Sequence, residues 1–276
     1  MSVPATAPTT AAPPARARIQ GRQAGFVSDV VAVAGRAVRA IPRKPAAVIP
    51  FLVIPVFFFV VNTGSLQTVA DGLGPGFDIK AFQLPVAIIF AVTGSSRAST
   101  LVTDLQSGYF DRLLMTPVHR LALLLGLMVA DFTLVAALTV PIIVLALVVG
   151  VHFATGLVGM AAFIVLAASW GLAFTGFPYA IALKTGNPAA VSASHVIFFP
   201  FAFLTTAYLP RAALTGWLST IARYNPVTYV LDGLRSLVSS GWDLGSLAGG
   251  VAAVALTAAV SMTLALLALR GRVTVR

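Results

Sequence analysis

Residues that could catalyse a reaction or bind a metal are few in this chain and lie far apart. The 276 residues include eight acidic side chains, three histidines and no cysteine. The histidines, His119, His152 and His195, fall in three separate segments, whereas the ligands of a metal or catalytic site must converge. We therefore predict no catalytic residue, no cofactor-binding residue and no metal ligand, and we expect that the chain is not an enzyme.

One acid stands inside a long apolar run. Asp131 lies about 15 Å along the run that begins at Leu121, at 1.5 Å of helix per residue. An acid within a membrane can bind a proton or a cation, or it can form a structural pair or hydrogen bond. One isolated acid is not a proton relay, so the structural alternative is favoured and the proton-coupled one stays open.

The composition of the chain is far more apolar than that of a soluble protein. Of the residues, 58% are hydrophobic and only 9% are charged, and the mean hydropathy is +0.96. A soluble domain carries roughly 25% charged residues, and apolar runs of about 20 residues are typical of transmembrane helices. We predict an all-α integral membrane protein with six spans, near Ala46–Ser65, Ala81–Asp104, Leu121–Val149, Phe153–Leu183, Ala189–Leu209 and Leu244–Leu269.

The basic residues mark one side of the membrane. The net charge is +10, but Lys and Arg stand at the ends of apolar runs rather than on one soluble face, so no nucleic-acid partner is expected. Because cytoplasmic loops are enriched in Lys and Arg, we predict that both termini are cytoplasmic. We also expect the chain to be a multi-pass protein of a cell membrane, the bacterial plasma membrane. The predicted inner side then holds 14 of the 18 bases, and the outer side holds Lys80, Arg211, Arg223 and Arg235.

Three regions follow from these patterns. Residues 1–24 are rich in Pro, Ala and Thr, which predicts a disordered cytoplasmic tail. Residues 25–44 carry apolar side chains at helical spacing, including Val27, Val30, Val31, Ala34 and Val38, with arginines towards the other side. This pattern indicates an amphipathic helix in the membrane interface, or alternatively a helix packed on a soluble partner. Residues 45–276 form the six-span transmembrane domain.

The segment "GYFDRLLMTPVHR", residues 108–120, places charges between the second and third spans on the predicted inner side. Its helical spacing puts two aromatic and two leucine side chains on one face, with a charged pair elsewhere, and a proline ends it. Such an element is suited to a groove on another protein, although a plain interfacial turn is the alternative. The residues concerned are Tyr109, Phe110, Asp111, Arg112, Leu113, Leu114 and Pro117.

A second unusual segment precedes the last span. "RAALTGWLSTIARYNPVTYVLDGLRSLVSSGWD" should lie outside, yet it reads as two short amphipathic helices separated at Asn225 and Pro226. The first contains Trp217, and the second pairs Asp232 with Arg235 at a separation of three residues. Neither half is long enough to span, so we predict an outer re-entrant helical pair.

In combination, the six spans, the basic amphipathic helix, "LLMTPVHR", "FPFAFLTTAYLP" and "YNPVTYVLDGLR" resemble the membrane subunits of type-2 ABC exporters (ABC-2 permeases). The closest likeness is to drug and antibiotic exporters of the daunorubicin-resistance kind. The resemblance implies that residues 109–118 form a cytoplasmic coupling helix that inserts into an ATPase subunit, and that the outer pair caps the path. It also implies that the first and fifth spans line that path, with Phe57, Phe58, Phe198, Phe199 and Phe203 as candidate substrate contacts.

The resemblance therefore implies the permease subunit of an ATP-driven exporter of hydrophobic or amphipathic small molecules, such as drugs, antibiotics or lipid-like compounds. No "GxxxxGK[ST]" motif is present, so ATP and Mg²⁺ are expected on a separate ABC ATPase partner and no cofactor on this chain. Further expected partners are a second copy or a related permease, and membrane lipid. A polysaccharide or glycolipid exporter subunit and an ion-coupled secondary transporter remain alternatives.

Overall fold

The computed structural model describes residues 25–40, 45–72, 74, 77–94, 96–108 and 120–274. Regular structure in these ranges is helical, with a 3-10 turn at Arg211–Ala213 and a π-helical turn at Ser236–Ser240. The α-helices are α1 Phe26–Ala40, α2 Pro45–Ser65, α3 Gln67–Gly72, α4 Ile79–Gly94, α5 Ala98–Gln106, α6 Arg120–Val148, α7 Gly156–Thr185, α8 Pro188–Phe203, α9 Gly216–Tyr224, α10 Pro226–Arg235 and α11 Leu244–Thr274.

Four segments of the described chain are long and apolar enough to cross a membrane. They are Ile79–Gln106, Leu125–Val148, Gly156–Thr185 and Leu244–Gly271, and two shorter apolar helices cover Leu52–Ser65 and Pro188–Phe203. These helices agree with the predicted all-α membrane architecture. The exact number of six spans stays a prediction.

Two predicted spans differ in detail from the structure. The second, predicted as one helix, consists of α4 and α5, and the chain bends between them near Arg97. The fifth, predicted to reach Leu209, ends at Phe203. Residues 204–209 turn away from the helix because their carbonyl groups and those of the last turn accept hydrogen bonds from Asn225 and Arg235.

Helix α7 lies at the centre of the bundle and packs closely against α6 and α11. Trp170 and Tyr179 of α7 are fully buried. Gly176 makes the closest approach, since an added Cβ atom would lie 2.7 Å from the backbone of Ser261 in α11. The Ser261 hydroxyl group also donates a hydrogen bond to the carbonyl oxygen of Ala173. A glycine at this crossing therefore lets the two backbones pack directly.

The contacts between helices define two ends of the bundle. Leu166 lies beside Gly250 and Gly176 beside Ser261, so α7 and α11 run parallel. At one end, the Gln106 side chain donates to the carbonyl oxygen of Gly186 at 3.0 Å. We call this end, which holds α1, the end of α5 and the C-terminal turns of α7 and α11, the α1 end. The opposite end, which holds the start of α4, the turn before α7, α9 and α10, is the α9 end.

Helix α1 packs on α6 through small side chains. Ala34 and Ala37 are buried, and Val33 packs beside Gly126, whose added Cβ atom would lie 2.6 Å from that of Val33. Val27 and Val31, two residues of the predicted apolar face, are exposed within the chain. Close helix crossings favour small residues such as Gly126, and the placement of α1 in the membrane interface stays a prediction.

Candidate functional site

The helical pair formed by α9 and α10 is anchored to the bundle through Asn225. Its side-chain Oδ1 accepts a hydrogen bond from the backbone N–H of Val227 at 3.0 Å, which caps the start of α10. Its Nδ2 donates to the carbonyl oxygens of Phe201 at 2.7 Å and Leu204 at 2.9 Å. Pro226 occupies the first turn of α10, where no N–H is needed. One side chain, only 4% exposed, therefore joins the start of α10 to the end of α8.

Arg235, at the other end of α10, is held by main-chain groups of two more segments. Its Nη2 donates to the carbonyl oxygen of Thr206 at 2.7 Å, and its Nη1 donates to the Thr206 hydroxyl at 3.0 Å. Its Nε donates to the carbonyl oxygen of Phe82 at 3.3 Å, and the guanidinium carbon lies 3.6 Å from the centre of the Phe82 ring. We call Asn225, Asp232 and Arg235, with Phe82 and Thr206, the α10 anchor.

Asp232 binds two arginines, and the nearer one is not the predicted partner. Its carboxylate lies 2.9 Å from Arg211 Nε and 3.9 Å from Arg235 Nη1. Burial raises the pKa of Asp232 above its ordinary value, and the two arginines oppose that shift. Burial likewise lowers the pKa of Arg235 to about 9, with Asp232 opposing, so Arg235 keeps its charge at neutral pH.

Trp217 does not join the α10 anchor. Its side chain is 69% exposed on α9, next to the exposed side chains of Ile221 and Tyr224. The apolar face of α9 therefore points away from the chain. Exposed Trp and Tyr are typical of the level at which a membrane meets water.

Four of the five predicted path aromatics surround one residue that the sequence analysis did not select. The ring centre of Phe90 in α4 lies 6.4 Å from Phe58, 6.2 Å from Phe198, 5.9 Å from Phe199 and 5.5 Å from Phe203. Phe90 thus connects α2 to α8. No local signal could have selected it, because a single Phe in an apolar run is typical of any buried span.

The path aromatics do not all face the same way. Phe57, Phe58, Phe199 and Phe203 are exposed on α2 and α8, whereas Phe198 is buried and packs against Phe174 at a ring distance of 4.9 Å. The structure therefore presents an aromatic face formed by α2 and α8, with Phe90 behind it.

Asp131 is fully buried and hydrogen-bonded. The hydroxyl group of Tyr179 in α7 donates to Asp131 Oδ2 at 2.7 Å, and the charge of Arg97 attracts the same carboxylate. Arg97 also donates to the carbonyl oxygen of Ala37, in α1. The acid thus takes part in a network that joins α1, α6, α7 and the bend before α5. This geometry favours a structural role for Asp131 over proton or cation binding.

At the α1 end, α1 is tied to the end of the second span. Arg36 of α1 lies 3.7 Å from Asp104 of α5, and both side chains are partly exposed. The segment that follows α5 contains the predicted coupling residues Tyr109, Phe110, Asp111, Arg112, Leu113, Leu114 and Pro117. These residues lie outside the described part of the chain, so their role stays a prediction.

Metal-ligating side chains do not converge in the part of the chain that the structure describes. Within the described residues, no group of three or more His, Cys, Asp or Glu side chains could hold a metal ion.

Comparison with known proteins identifies the family. Residues 28–238 match the family model of the ABC-2 type transporter. The chain is 24% identical over 225 residues to the Mycobacterium tuberculosis protein named "Probable doxorubicin resistance ABC transporter permease protein DrrC", covering 81% of this chain and 82% of the relative.

A second relative comes from Streptomyces coeruleorubidus and is named "Daunorubicin resistance ABC transporter permease protein DrrB1". It is 24% identical over 235 residues, which cover 81% of this chain and 80% of the relative. The family model spans well over half of the chain, from the third residue of α1 through the α10 anchor. The chain therefore belongs to the ABC-2 type transporter family, as a multi-pass membrane subunit for transport.

Proposed function

We propose that the chain is the permease subunit of an ATP-driven exporter of hydrophobic or amphipathic small molecules, such as drugs, antibiotics or lipid-like compounds. The observation that carries the proposal is the match, over about four-fifths of each chain, to permeases named for doxorubicin and daunorubicin resistance. The aromatic face of α2 and α8 supports it, since rings offer contact area to polycyclic or amphipathic compounds.

ATP hydrolysis on this proposal belongs to a separate ABC ATPase, which binds ATP and Mg²⁺. Residues 109–118 dock into that subunit. Movement then enters the bundle beside α5, where Arg36 and Asp104 link the same region to α1. The ATPase thereby acts on the inner part of the second span and on α1 together.

Two permease subunits, identical or related, face each other on this proposal, with the path between their first, second and fifth spans. The exposed aromatic side chains of α2 and α8 line it. The α10 anchor holds the outer helical pair over the outer mouth of the path, because its hydrogen bonds fix both ends of α10 to the bundle.

The α1 end faces the cytoplasm of the cell, on this proposal, and the membrane is the plasma membrane. Of the basic residues in described helices, Arg36, Arg39, Lys184 and Arg270 lie at the α1 end, in α1, α7 and α11. Positive charge on short loops and helix ends favours the cytoplasmic side. Both termini then lie in the cytoplasm.

An ATP-dependent transport assay tests the proposal. Everted membrane vesicles should contain the permease together with the P-loop ATPase of a neighbouring reading frame, and daunorubicin uptake is followed by fluorescence. We expect uptake that needs ATP and that stops when the P-loop lysine of the ATPase is replaced. Uptake that survives this replacement and follows an ion gradient would instead support the ion-coupled alternative.

The Asp131→Asn variant sharpens this test. The asparagine oxygen can still accept the Tyr179 hydrogen bond, but the side chain cannot bind a proton in the tested pH range. If the acid is structural, the pH profile of uptake keeps its wild-type shape. A profile that becomes flat would show that Asp131 carries the transported or coupling proton.

A further inference from the structure

A large cleft separates the last turns of α7 and α11 at the α1 end. Its volume is about 780 Å³, within the range of roughly 300–1,000 Å³ typical of ligand sites. One wall carries Phe177, Ala180, Ile181 and Lys184 of α7, and the other carries residues of α11 at the same helical spacing. Those α11 residues are Leu264, Leu267, Ala268 and Gly271.

The cleft has one closed and one open end. Towards the α9 end it is closed where Gly176 and Ser261 bring α7 and α11 into backbone contact. Towards the α1 end it opens beside Lys184, in the last turn of α7, whose side chain is exposed. The wall between these points is apolar, and Leu264 and Leu267 remain exposed within the chain. The cleft is therefore an apolar slot whose lining includes the Lys184 cation at its mouth.

The length of the slot fits within one membrane leaflet. Phe177 and Lys184 are seven residues apart, which is about 10 Å along a helix. The hydrocarbon part of one leaflet is about 15 Å thick, half of the roughly 30 Å core. A lipid whose headgroup lies level with Lys184 would therefore place its acyl chains against Phe177, Ile181 and Leu264.

We propose that the cleft between α7 and α11 binds an anionic phospholipid, with its phosphate beside the Lys184 ammonium group and its acyl chains between the two helices. Charge complementarity at the mouth selects the headgroup, and basic pockets between transmembrane helices are known to favour acidic lipids. A free phosphate would leave the apolar walls exposed. The site goes beyond the export activity and requires only that the chain is inserted in a membrane.

Competition between two lipids tests the headgroup. The purified full-length permease, in its native assembly, is mixed with equal amounts of phosphatidylglycerol and phosphatidylcholine of the same acyl chains, and bound lipid is counted by native mass spectrometry. We expect a preference for phosphatidylglycerol that Lys184→Gln lowers about fivefold and Lys184→Arg preserves. Arg223→Gln, a charge change at the α9 end, is the matched control and should leave the preference unchanged. An unchanged preference in Lys184→Gln would overturn the proposal.

Filling the slot tests the acyl-chain part. Ala268→Phe should lower the binding of both lipids, because the ring occupies the space between the helices. Ala255→Phe adds the same ring on an exposed position of α11 that lines no part of the cleft, and lipid binding should not change. Equal effects of the two rings would contradict the site. If Ala268→Phe instead abolished daunorubicin binding and spared both lipids, the cleft would hold cargo and the lipid assignment would be wrong.

Discussion

Two helices of this permease begin with the same dipeptide, Asn-Pro, at opposite ends of the bundle. Asn187 accepts a hydrogen bond from the N–H of Ala189 at 2.9 Å, and Asn225 accepts one from Val227 at 3.0 Å. Asn187 is exposed, and in the described part of the chain its side chain makes no hydrogen bond to another helix. Asn225 is buried and donates its amide to two carbonyl oxygens at the end of α8, one in its last turn and one on the residue that follows it. The same local signal thus starts a helix at one end and fixes a helical pair at the other.

The charged residues at the two ends differ in the same way. The Arg235 side chain at the α9 end is 11% exposed and donates to main-chain oxygens, whereas the Arg36 side chain at the α1 end is 48% exposed and forms an ion pair with Asp104 at 3.7 Å. Buried, fully bonded polar groups resist rearrangement, whereas exposed ion pairs contribute little stability. We infer that the α9 end is the more rigid of the two ends.

The largest effect is expected from Asn225→Ala. Loss of the helix cap lowers the free energy of unfolding by about 1 kcal/mol. The two buried carbonyl groups that are left without donors lower it by about 2 kcal/mol more. Thermal unfolding of the purified permease in nanodiscs measures the loss. Asn187→Ala, which removes only a cap, is the control and should cost about 1 kcal/mol or less. Equal losses of stability in Asn225→Ala and Asn187→Ala would contradict the difference between the two ends.

A smaller effect is expected from Arg235→Lys. Lysine keeps the positive charge, but it cannot direct donors at Thr206 and Phe82 together, so we expect a loss of about 2 kcal/mol. Arg36→Lys makes the same chemical change in an exposed pair and should cost less than about 0.5 kcal/mol. The same unfolding assay compares them. A larger loss from the Arg36 variant would show that the α1 end is the more rigid one.

The smallest change in unfolding free energy is expected where α1 packs on α6. Gly126→Ala places a Cβ atom 2.6 Å from that of Val33, so α1 must shift, at a cost of about 1 kcal/mol. Gly35→Ala, within α1, meets no atom within 4 Å and should stabilise the helix by about 0.5 kcal/mol. A loss of stability in Gly126→Ala together with a gain in Gly35→Ala would support direct packing of α1 on α6. Two stabilising changes would show that α1 does not rest on Gly126.

Much of the helical framework could be predicted from the apolar runs, because membrane spans must satisfy their backbone groups internally. The break at Asn225 and the charges of Asp232 and Arg235 were also evident locally. Thr206 and Phe90 could not be found, because their roles depend on contacts with residues far away in the sequence. The bend near Arg97 could not be predicted either, because it too depends on contacts with residues far away in the sequence.

On the proposed function, an ATPase drives this permease through residues 109–118. The most direct measurement is the ATPase activity of the co-purified complex in lipid nanodiscs, with the double variant Leu113→Asp and Leu114→Asp. Leu157→Asp with Leu244→Asp, two exposed leucines at the α9 end, is the matched control. We predict that the first variant loses ATPase binding or drug-stimulated turnover and that the control keeps both. Wild-type binding and turnover in the first variant, or an ATPase that never associates with the permease, would contradict the account.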